Sequence, residues 1–522
     1  IIVSNLYGVD IMEEACEICK LRLFLKLVAQ VKEGVRSIEK IEPLPDIDFN
    51  IRAGNTLVGY ASLHAVRTAM AGRLDFGGDV ERIQTQAAAA ASAFDLFRQG
   101  QTQYEADPRT LTDGKRLVRE RLRTLDDELS QVLAGEYGVK VEREGALAKW
   151  RTKYQPFHWF IDFHAIMEKG GFGVIIGNPP YIELKELKDY SVKGYATEDA
   201  GNLYALVIEQ CLRLLSPAGR LGMIVPVSSI STERYEPLQR LMLTKRLWYS
   251  AYDDRPSRLF DGLEHIRLTI HLLAPSAAGQ ALSSTRYHKW SAVERPQLFS
   301  LLSYETAVPC HVEGTLPKLN YAIENHIVHR LDAQRHRLAE SFSTTGRHNV
   351  YYSRKVGNFL QVLNFEPEVL DGDGQRRPPS EFKTLAFRTK AEADAALCCL
   401  NSNLFYWFVT VFSDCRHLNR REVEAFPVDL QTLATGPVAD RLARLATALM
   451  KDLKKQSDRR TMKFKHDSLT VQCIIPKRSK TIIDDIDRCL GEHFGFSATE
   501  ADFLVNYDIK YRMGDAAQEE EE

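Results

Sequence analysis

The sequence predicts an α/β fold, and three stretches carry that prediction. Leu6-Tyr7-Gly8-Val9-Asp10 reads as a short apolar strand closing on an acid. Val174-Ile175-Ile176 is a compact apolar strand that runs straight into Gly177-Asn178-Pro179-Pro180. Residues 202–215 have the spacing of an amphipathic helix, end in Ser216-Pro217-Ala218-Gly219, and lead into an apolar strand over 221–227. Strand, helix, strand with short turns implies a mostly parallel sheet covered by helices.

Taken in order, residues 12–31 place Ala15, Ile18, Cys19 and Leu23 at helical spacing. Residues 51–60 read as loop and strand punctuated by Gly54 and Gly59. Residues 61–150 change character. An alanine run over 87–91 and an Arg-, Leu-, Asp- and Glu-rich stretch over 116–133 predict solvent-facing helices, a helical insertion with no catalytic motif. The α/β pattern returns over 151–275, with a further strand at 267–273. Residues 276–522 are mixed and less periodic, and Glu519 to Glu522 form an acidic tail expected to be disordered.

Composition bounds what such a chain does. Of 522 residues, 44% are hydrophobic and 26% charged, as in globular proteins with room for several domains. The net charge of −2 means that a nucleic-acid surface must come from local clustering. No apolar run reaches the ~20 residues of a membrane span, and nine scattered cysteines suit a reducing cytoplasm. Cys16 and Cys19 form one CxxC without a second pair, so two small helix residues explain it better than zinc, and no metal is expected. His158 and His164 lack partners at ligand spacing and read as core or surface histidines. Glu183-x-Lys185 lacks the further acid that a nuclease site requires.

The chemistry rests on Asn178-Pro179-Pro180-Tyr181. Two prolines lock the backbone and remove two N–H donors, leaving acceptors and an aromatic face. The carboxyl end of a parallel strand is where such sheets build active sites. That combination suits the exocyclic amine of adenine, a poor nucleophile whose lone pair is delocalised into the ring. The Asn178 side-chain oxygen and the Pro179 carbonyl draw on its two hydrogens, so the lone pair turns towards an electrophile. Tyr181 stacks on a base flipped out of the duplex. Neither a metal nor a strong base is required.

Asn178-Pro179-Pro180-Tyr181, with the preceding Lys169-Gly170-Gly171-Phe172-Gly173-Val174-Ile175-Ile176-Gly177, resembles motif IV of the Eco57I-like restriction-modification methylases, the adenine-N6 DNA methyltransferases that include type IIG and phage-defence enzymes. Gly173 stands where that family often has Asp. Asn202-Leu203-Tyr204 and the stretch 219–226 are similar to the next helix and strand. The resemblance implies a class I (Rossmann-like) methyltransferase sheet in two parts, 1–60 and 151–275, interrupted by the helical insertion and followed by a mixed α+β target-recognition domain over 276–480. It implies S-adenosylmethionine as methyl donor. Leu6 to Ile11 looks like motif II, where Asp10 would accept the donor's ribose hydroxyls and Ile11 would pack on its adenine; an acid there also suits a helix N-cap. The stretch 48–57 looks like motif III, where Asn55 would read the donor's adenine edge or serve as a turn residue. Leu259-Phe260-Asp261-Gly262 resembles the loop whose aromatic holds the flipped base, although Phe260 suits a core as well. No glycine-rich motif I is found, and by family order it lies upstream of residue 1. Weak or absent donor binding is therefore expected of this chain alone.

The resemblance extends loosely to 400–407 and 417–421, which look like parts of the target-recognition region, and to 481–490 and 506–508, which resemble its C-terminal helical end and imply a helical segment with the acidic tail over 481–522. Arg416, Arg420 and Arg421 are candidates for phosphate or guanine contacts. The stretch 451–480, with ten Lys or Arg against three Asp, is either a phosphate-tracking surface or a solvated face. The implied partners are double-stranded DNA and other restriction-modification or phage-defence subunits, with no membrane. The competing readings are a protein-glutamine or RNA methyltransferase, and a DNA-binding subunit or inactive fragment completed by another segment.

Overall fold

The computed structural model describes residues 2–30, 45–71, 76–101, 108–276, 282–307, 312–463 and 468–514. The acidic tail at 519–522 lies outside the described residues. The chain is mixed α/β and forms two compact units, Ile1–Gly222 and Met223–Glu522.

In the first unit, β1 (Gly8–Asp10) pairs in parallel with β2 (Ile51–Ala53), Gly8 opposite Ile51. Between them runs α1 (Glu13–Val28). Cys16 is buried with its thiol against the Arg52 carbonyl at 3.2 Å, whereas Cys19 is exposed, so the CxxC sulfurs point to different environments. Helices α2 (Leu63–Met70), α3 (Phe76–Gln101), α4 (Pro108–Glu136) and α5 (Ala146–Tyr154) occupy the alanine- and charge-rich stretch. The alanines pack: Ala87 and Ala90 lie in a core with Leu125, Leu129 and Trp150, where small side chains let helices approach closely. Ion pairs tie these helices to the rest of the unit. Asp48, ahead of β2, meets Lys115 and Arg119 of α4 and Lys20 of α1. Partial burial pushes its carboxyl up, but Lys115 and Lys20 outweigh that and hold it at about 2. His158 is a fully buried core residue. Its Nδ1 accepts from the Tyr60 N–H at 3.2 Å, and burial drives it down to about 3, so it stays neutral.

Strand β3 (Phe172–Gly177) carries the Asn178 turn. It ends its sheet, with β4 (Leu215–Pro226) beside it. Helix α6 (Leu203–Leu214), capped by the Asn202 side chain, leads directly into β4. Strand β3 is covered on one side only. Ile175 faces a cluster with Tyr7, Val9, Phe157 and Trp159, which Phe172 joins at the start of the strand, but Val174 and Ile176, on the side of the pleat opposite Ile175, are 65% and 80% exposed. An apolar run signals a strand without saying how many of its faces are covered.

Gly171 sets the entry to β3. Its φ is +110°, and a Cβ there would lie 2.3 Å from the Leu214 carbonyl oxygen. Gly171→Ala therefore combines a disfavoured backbone with a backbone clash at the α6–β4 junction, and is expected to cost about 2–3 kcal/mol. Urea denaturation checks this; an unchanged midpoint would remove Gly171 from the turn's design.

The second unit holds a mixed sheet in place of the mostly parallel one expected. Strand β5 (Arg246–Tyr252) runs antiparallel to β6 (Leu268–Ala274) and parallel to β7 (Leu282–His288), which pairs antiparallel with β8 (Glu305–Thr306). Beyond it, α7 (Ala322–Asp332) precedes a small antiparallel sheet of β9 (His348–Ser353), β10 (Val362–Leu363) and β12 (Phe382–Phe387). A second small sheet joins β11 (Val369–Leu370) to the ribbon of β13 (Asp458–Lys463) and β14 (Ser468–Cys473). The apolar stretch seen at 391–412 is a helix pair, α8 (Lys390–Asn401) and α9 (Asn403–Phe412), at the centre of the unit's core. No single described helix is long and apolar enough to cross a membrane; that pair together reaches the length but is bent by 61°. Helices α10 (Ala439–Lys455), α11 (Lys480–Phe494) and α12 (Ala498–Val505) complete the core.

Candidate functional site

The Asn178 turn is held rigidly although it is exposed. Pro179 is buried, Asn178 and Pro180 face solvent, and Tyr181 is half-buried. The Tyr181 hydroxyl donates to Asn178 Oδ1 at 2.5 Å. The Tyr181 ring meets the fully buried Tyr204 edge-on, with centroids 6.3 Å apart. Backbone hydrogen bonds from Leu203 N to the Ile182 carbonyl at 3.0 Å, and from Leu184 N to the Gly201 carbonyl at 2.8 Å, pin the outgoing loop to the start of α6. Glu183 accepts a hydrogen bond from Asn202 at 3.3 Å, which gives it a structural role in the same clasp. Burial pushes the Tyr181 hydroxyl up to about 12. It therefore remains a neutral donor at neutral pH and fixes one lone pair of Asn178 Oδ1, leaving the second for an incoming donor. Tyr204 was not singled out in the sequence as a support of the turn; a tyrosine at the second position of a capped helix is the only signal for it.

Asp10 ends β1 in solvent, and its Oδ1 accepts the Met12 N–H at 2.8 Å. Ile11 beside it is 49% exposed. Asp10 and Asn178 sit on strands that share one core, since Tyr7 and Val9 pack with Phe172 and Ile175, the Tyr7 and Phe172 centroids being 6.2 Å apart. Asn55 is different. It is buried, and its Nδ2 donates to the Tyr154 carbonyl at 3.0 Å and the Tyr190 hydroxyl at 2.9 Å, while Oδ1 accepts the Leu57 N–H at 3.0 Å. Both amide hydrogens are spent inside the unit, so Asn55 ties the β2 loop to the helices.

In the second unit, Phe260 is 40% exposed on a braced loop. Arg258 pairs with Glu264 at 2.8 Å, and Arg295 donates to the carbonyls of Arg258 and Leu259 at 3.1 and 2.9 Å. Arg416 donates to the His265 carbonyl at 3.0 Å, so it braces the same loop. Arg420 pairs with Glu424 at 2.7 Å, and Arg421 binds the Ser231 carbonyl and buried Glu422 at 2.8 and 3.0 Å. All three arginines are committed to contacts within the unit. Arg267 was missed by sequence reading. It lies buried beside Asp253 and Asp254 at 3.3 and 3.6 Å, just past the end of β5. Among the described residues, no three His, Cys, Asp or Glu side chains gather as a metal site.

Comparison with known proteins fits this picture. RM.MjaORFECS2P of Methanocaldococcus jannaschii, a candidate type II restriction enzyme and methyltransferase, is 27% identical over 296 residues, 48% of this chain and 25% of the relative. The chain thus matches about a quarter of that relative's length. Among solved structures, the type IIL restriction-modification enzyme MmeI in complex with DNA gives a TM-score of 0.39 at 9% identity, covering 74% of this chain and 63% of that one. The DrdV–DNA complex gives 0.29 at 11%, covering 68% and 56%. Neither superposes on the chain as a whole. Residues 4–260 match the family described as Eco57I restriction-modification methylase, and over that span the chain belongs to it.

Proposed function

We propose that the chain belongs to a site-specific DNA adenine-N6 methyltransferase of a restriction-modification or phage-defence system. The observation that carries this reading is the Asn178 turn: an exposed amide oxygen oriented by the Tyr181 hydroxyl at 2.5 Å, at the end of a strand, beside a buried proline.

Asn178 Oδ1 and the Pro179 carbonyl accept the two hydrogens of a flipped adenine's N6. That pulls the nitrogen towards tetrahedral geometry and frees its lone pair. Tyr181 supports the base with its ring and orients Asn178 with its hydroxyl. Bound S-adenosylmethionine supplies the electrophilic methyl group. Asp10 and Ile11 suit such a donor, because an exposed carboxylate can accept two ribose hydroxyls and an exposed aliphatic side chain can lie against adenine. The positive charge generated on N6 is relieved by loss of its proton to water. Phe260 is the candidate aromatic for holding the extruded base.

Separating the two roles of Tyr181 gives a direct check. Tyr181→Phe keeps the ring but frees Asn178 to rotate, and is expected to lower kcat roughly tenfold with KM for DNA little changed. Tyr181→Ala loses both roles and should fall further. Equal rates for wild type and Tyr181→Phe would show that the hydroxyl does not orient Asn178.

A second reading, a DNA-binding piece that becomes active only with additional polypeptide, is favoured by the uncovered Val174–Ile176 face of β3 and by a donor site reduced to Asp10 and Ile11. Labelled methyl transfer to adenine-N6 of mixed-sequence duplex, compared for this chain and for one extended upstream, decides between them. Transfer only by the extended chain supports the family chemistry with an incomplete donor site; transfer by neither overturns the methyltransferase reading.

A further inference from the structure

In the second unit, a cavity of about 660 Å³ lies between the β13–β14 ribbon and the segments around Lys355 and Pro378–Phe382. Six cationic side chains line it, Arg255, Lys355, Arg377, Arg460, Lys477 and Arg512, against one acid, Glu381. That is a strong local bias in a chain of net charge −2. The six differ in placement. Arg512 is buried, donates to the Asn358 carbonyl at 2.7 Å and stacks on Phe359 and Tyr406. Arg377 pairs with Asp371 at 3.1 Å. Lys355 and Arg460 are exposed and Lys477 half-exposed, so these three present charge at the opening.

The ribbon has two unlike faces. Arg460 opposite Val471 and Met462 opposite Leu469 form the face that lines the cavity. Thr461 opposite Thr470, with hydroxyls 3.0 Å apart, and Lys463 opposite Ser468 form the other. β13 is the outermost strand of its sheet and most of its side chains are exposed. A threonine-lined two-stranded ribbon, with strands about 4.8 Å apart, fits the roughly 12 Å B-form major groove. Lysine and arginine beside it would meet the phosphates that flank that groove.

We propose that this ribbon and the cationic mouth of its cavity form the duplex-DNA-binding surface of the second unit. The ribbon's threonine face enters the major groove, and Lys355, Arg460 and Lys477 hold the backbone. This assignment rests on the DNA reading above and goes beyond it. It moves the expected contact surface away from Arg416, Arg420 and Arg421, whose guanidinium groups brace the protein itself.

The test is fluorescence anisotropy of a labelled mixed-sequence DNA duplex with the full chain across a range of salt. Loss of three phosphate contacts in Lys355→Ala/Arg460→Ala/Lys477→Ala should reduce the salt slope by about 3 and weaken binding roughly tenfold or more at physiological salt. Lys355→Glu alone, at an exposed site that does not threaten folding, should weaken binding in the same direction. A wild type that binds duplex DNA, with both variants binding equally well, overturns this surface and leaves the DNA reading standing. A wild type that does not bind DNA overturns both. Equal affinity for an A-form RNA duplex, whose deep, narrow major groove excludes a ribbon, overturns the groove assignment.

Discussion

Asn178→Ala is expected to abolish methyl transfer, with a loss of at least about 10³-fold in kcat, while duplex affinity stays within a factor of about two. The side chain is exposed and its one intramolecular contact shown is with Tyr181, so its removal leaves the fold intact. What goes is the acceptor aimed at N6. The remaining Pro179 carbonyl can engage only one of the two amine hydrogens, and the lone pair stays conjugated with the ring. Asn178→Asp keeps the oxygen geometry but adds a charge, and should retain a measurable fraction of activity. Single-turnover transfer of a labelled methyl group, read beside DNA anisotropy, separates chemistry from binding. An active Asn178→Ala enzyme would remove the turn from the mechanism.

The largest stability effect is expected at Asp487. Helix α9 is buried along its whole length, so its first N–H groups have no water to turn to. Ser402 satisfies Phe405, and Asp487 of α11 accepts from the backbone N–H groups of Asn403 and Leu404 at 3.2 and 3.1 Å and from the Asn403 amide at 2.6 Å. Asp487→Ala strands two buried backbone donors, and about 3–5 kcal/mol of stability should be lost. Asp487→Asn, which keeps one acceptor, should lose less. A pH dependence accompanies this. Burial pushes the Asp487 carboxyl up to about 7, against the pull of those N–H donors. The folded chain thus keeps the proton at pH values where the unfolded chain, titrating near 4, has lost it. The contribution of this group to stability therefore rises as pH falls from about 7 towards 4, by up to about 1.4 kcal/mol per unit. The difference between wild type and Asp487→Asn in thermal melts should follow that trend; a flat difference would show that Asp487 titrates near its ordinary value.

Local patterns in the sequence identified the strands at 8–10 and 172–177, the helix at 203–214 and the strand that follows it, because each is an apolar run or a period bounded by Gly, Pro or a cap. β5 and β7 escaped. β7 reads Leu-Ser-Ser-Thr-Arg-Tyr-His, yet Ser284 and Thr285 are fully buried, Ser284 donating to the Leu319 carbonyl at 3.0 Å. A strand whose buried positions are hydroxylic has no hydrophobic signature, and without β5 and β7 the antiparallel pairing of β6 could not be anticipated. The Asn178 turn was legible because its four residues are consecutive. The partners of Asn55, Tyr154 and Tyr190, are 99 and 135 residues away, contacts that no local pattern announces. Arg416 likewise meets a carbonyl 151 residues distant.

The uncovered side of β3 also governs how the isolated chain behaves in a tube. Val174 and Ile176 project from a strand at the margin of its sheet, and such a strand is a template for pairing with an identical one. At rising concentration the chain should therefore self-associate through β3 into dimers and larger particles that sediment out of proportion to mass. Val174→Lys, a charge on that margin, is the substitution expected to keep preparations monodisperse while leaving the Asn178 turn in place.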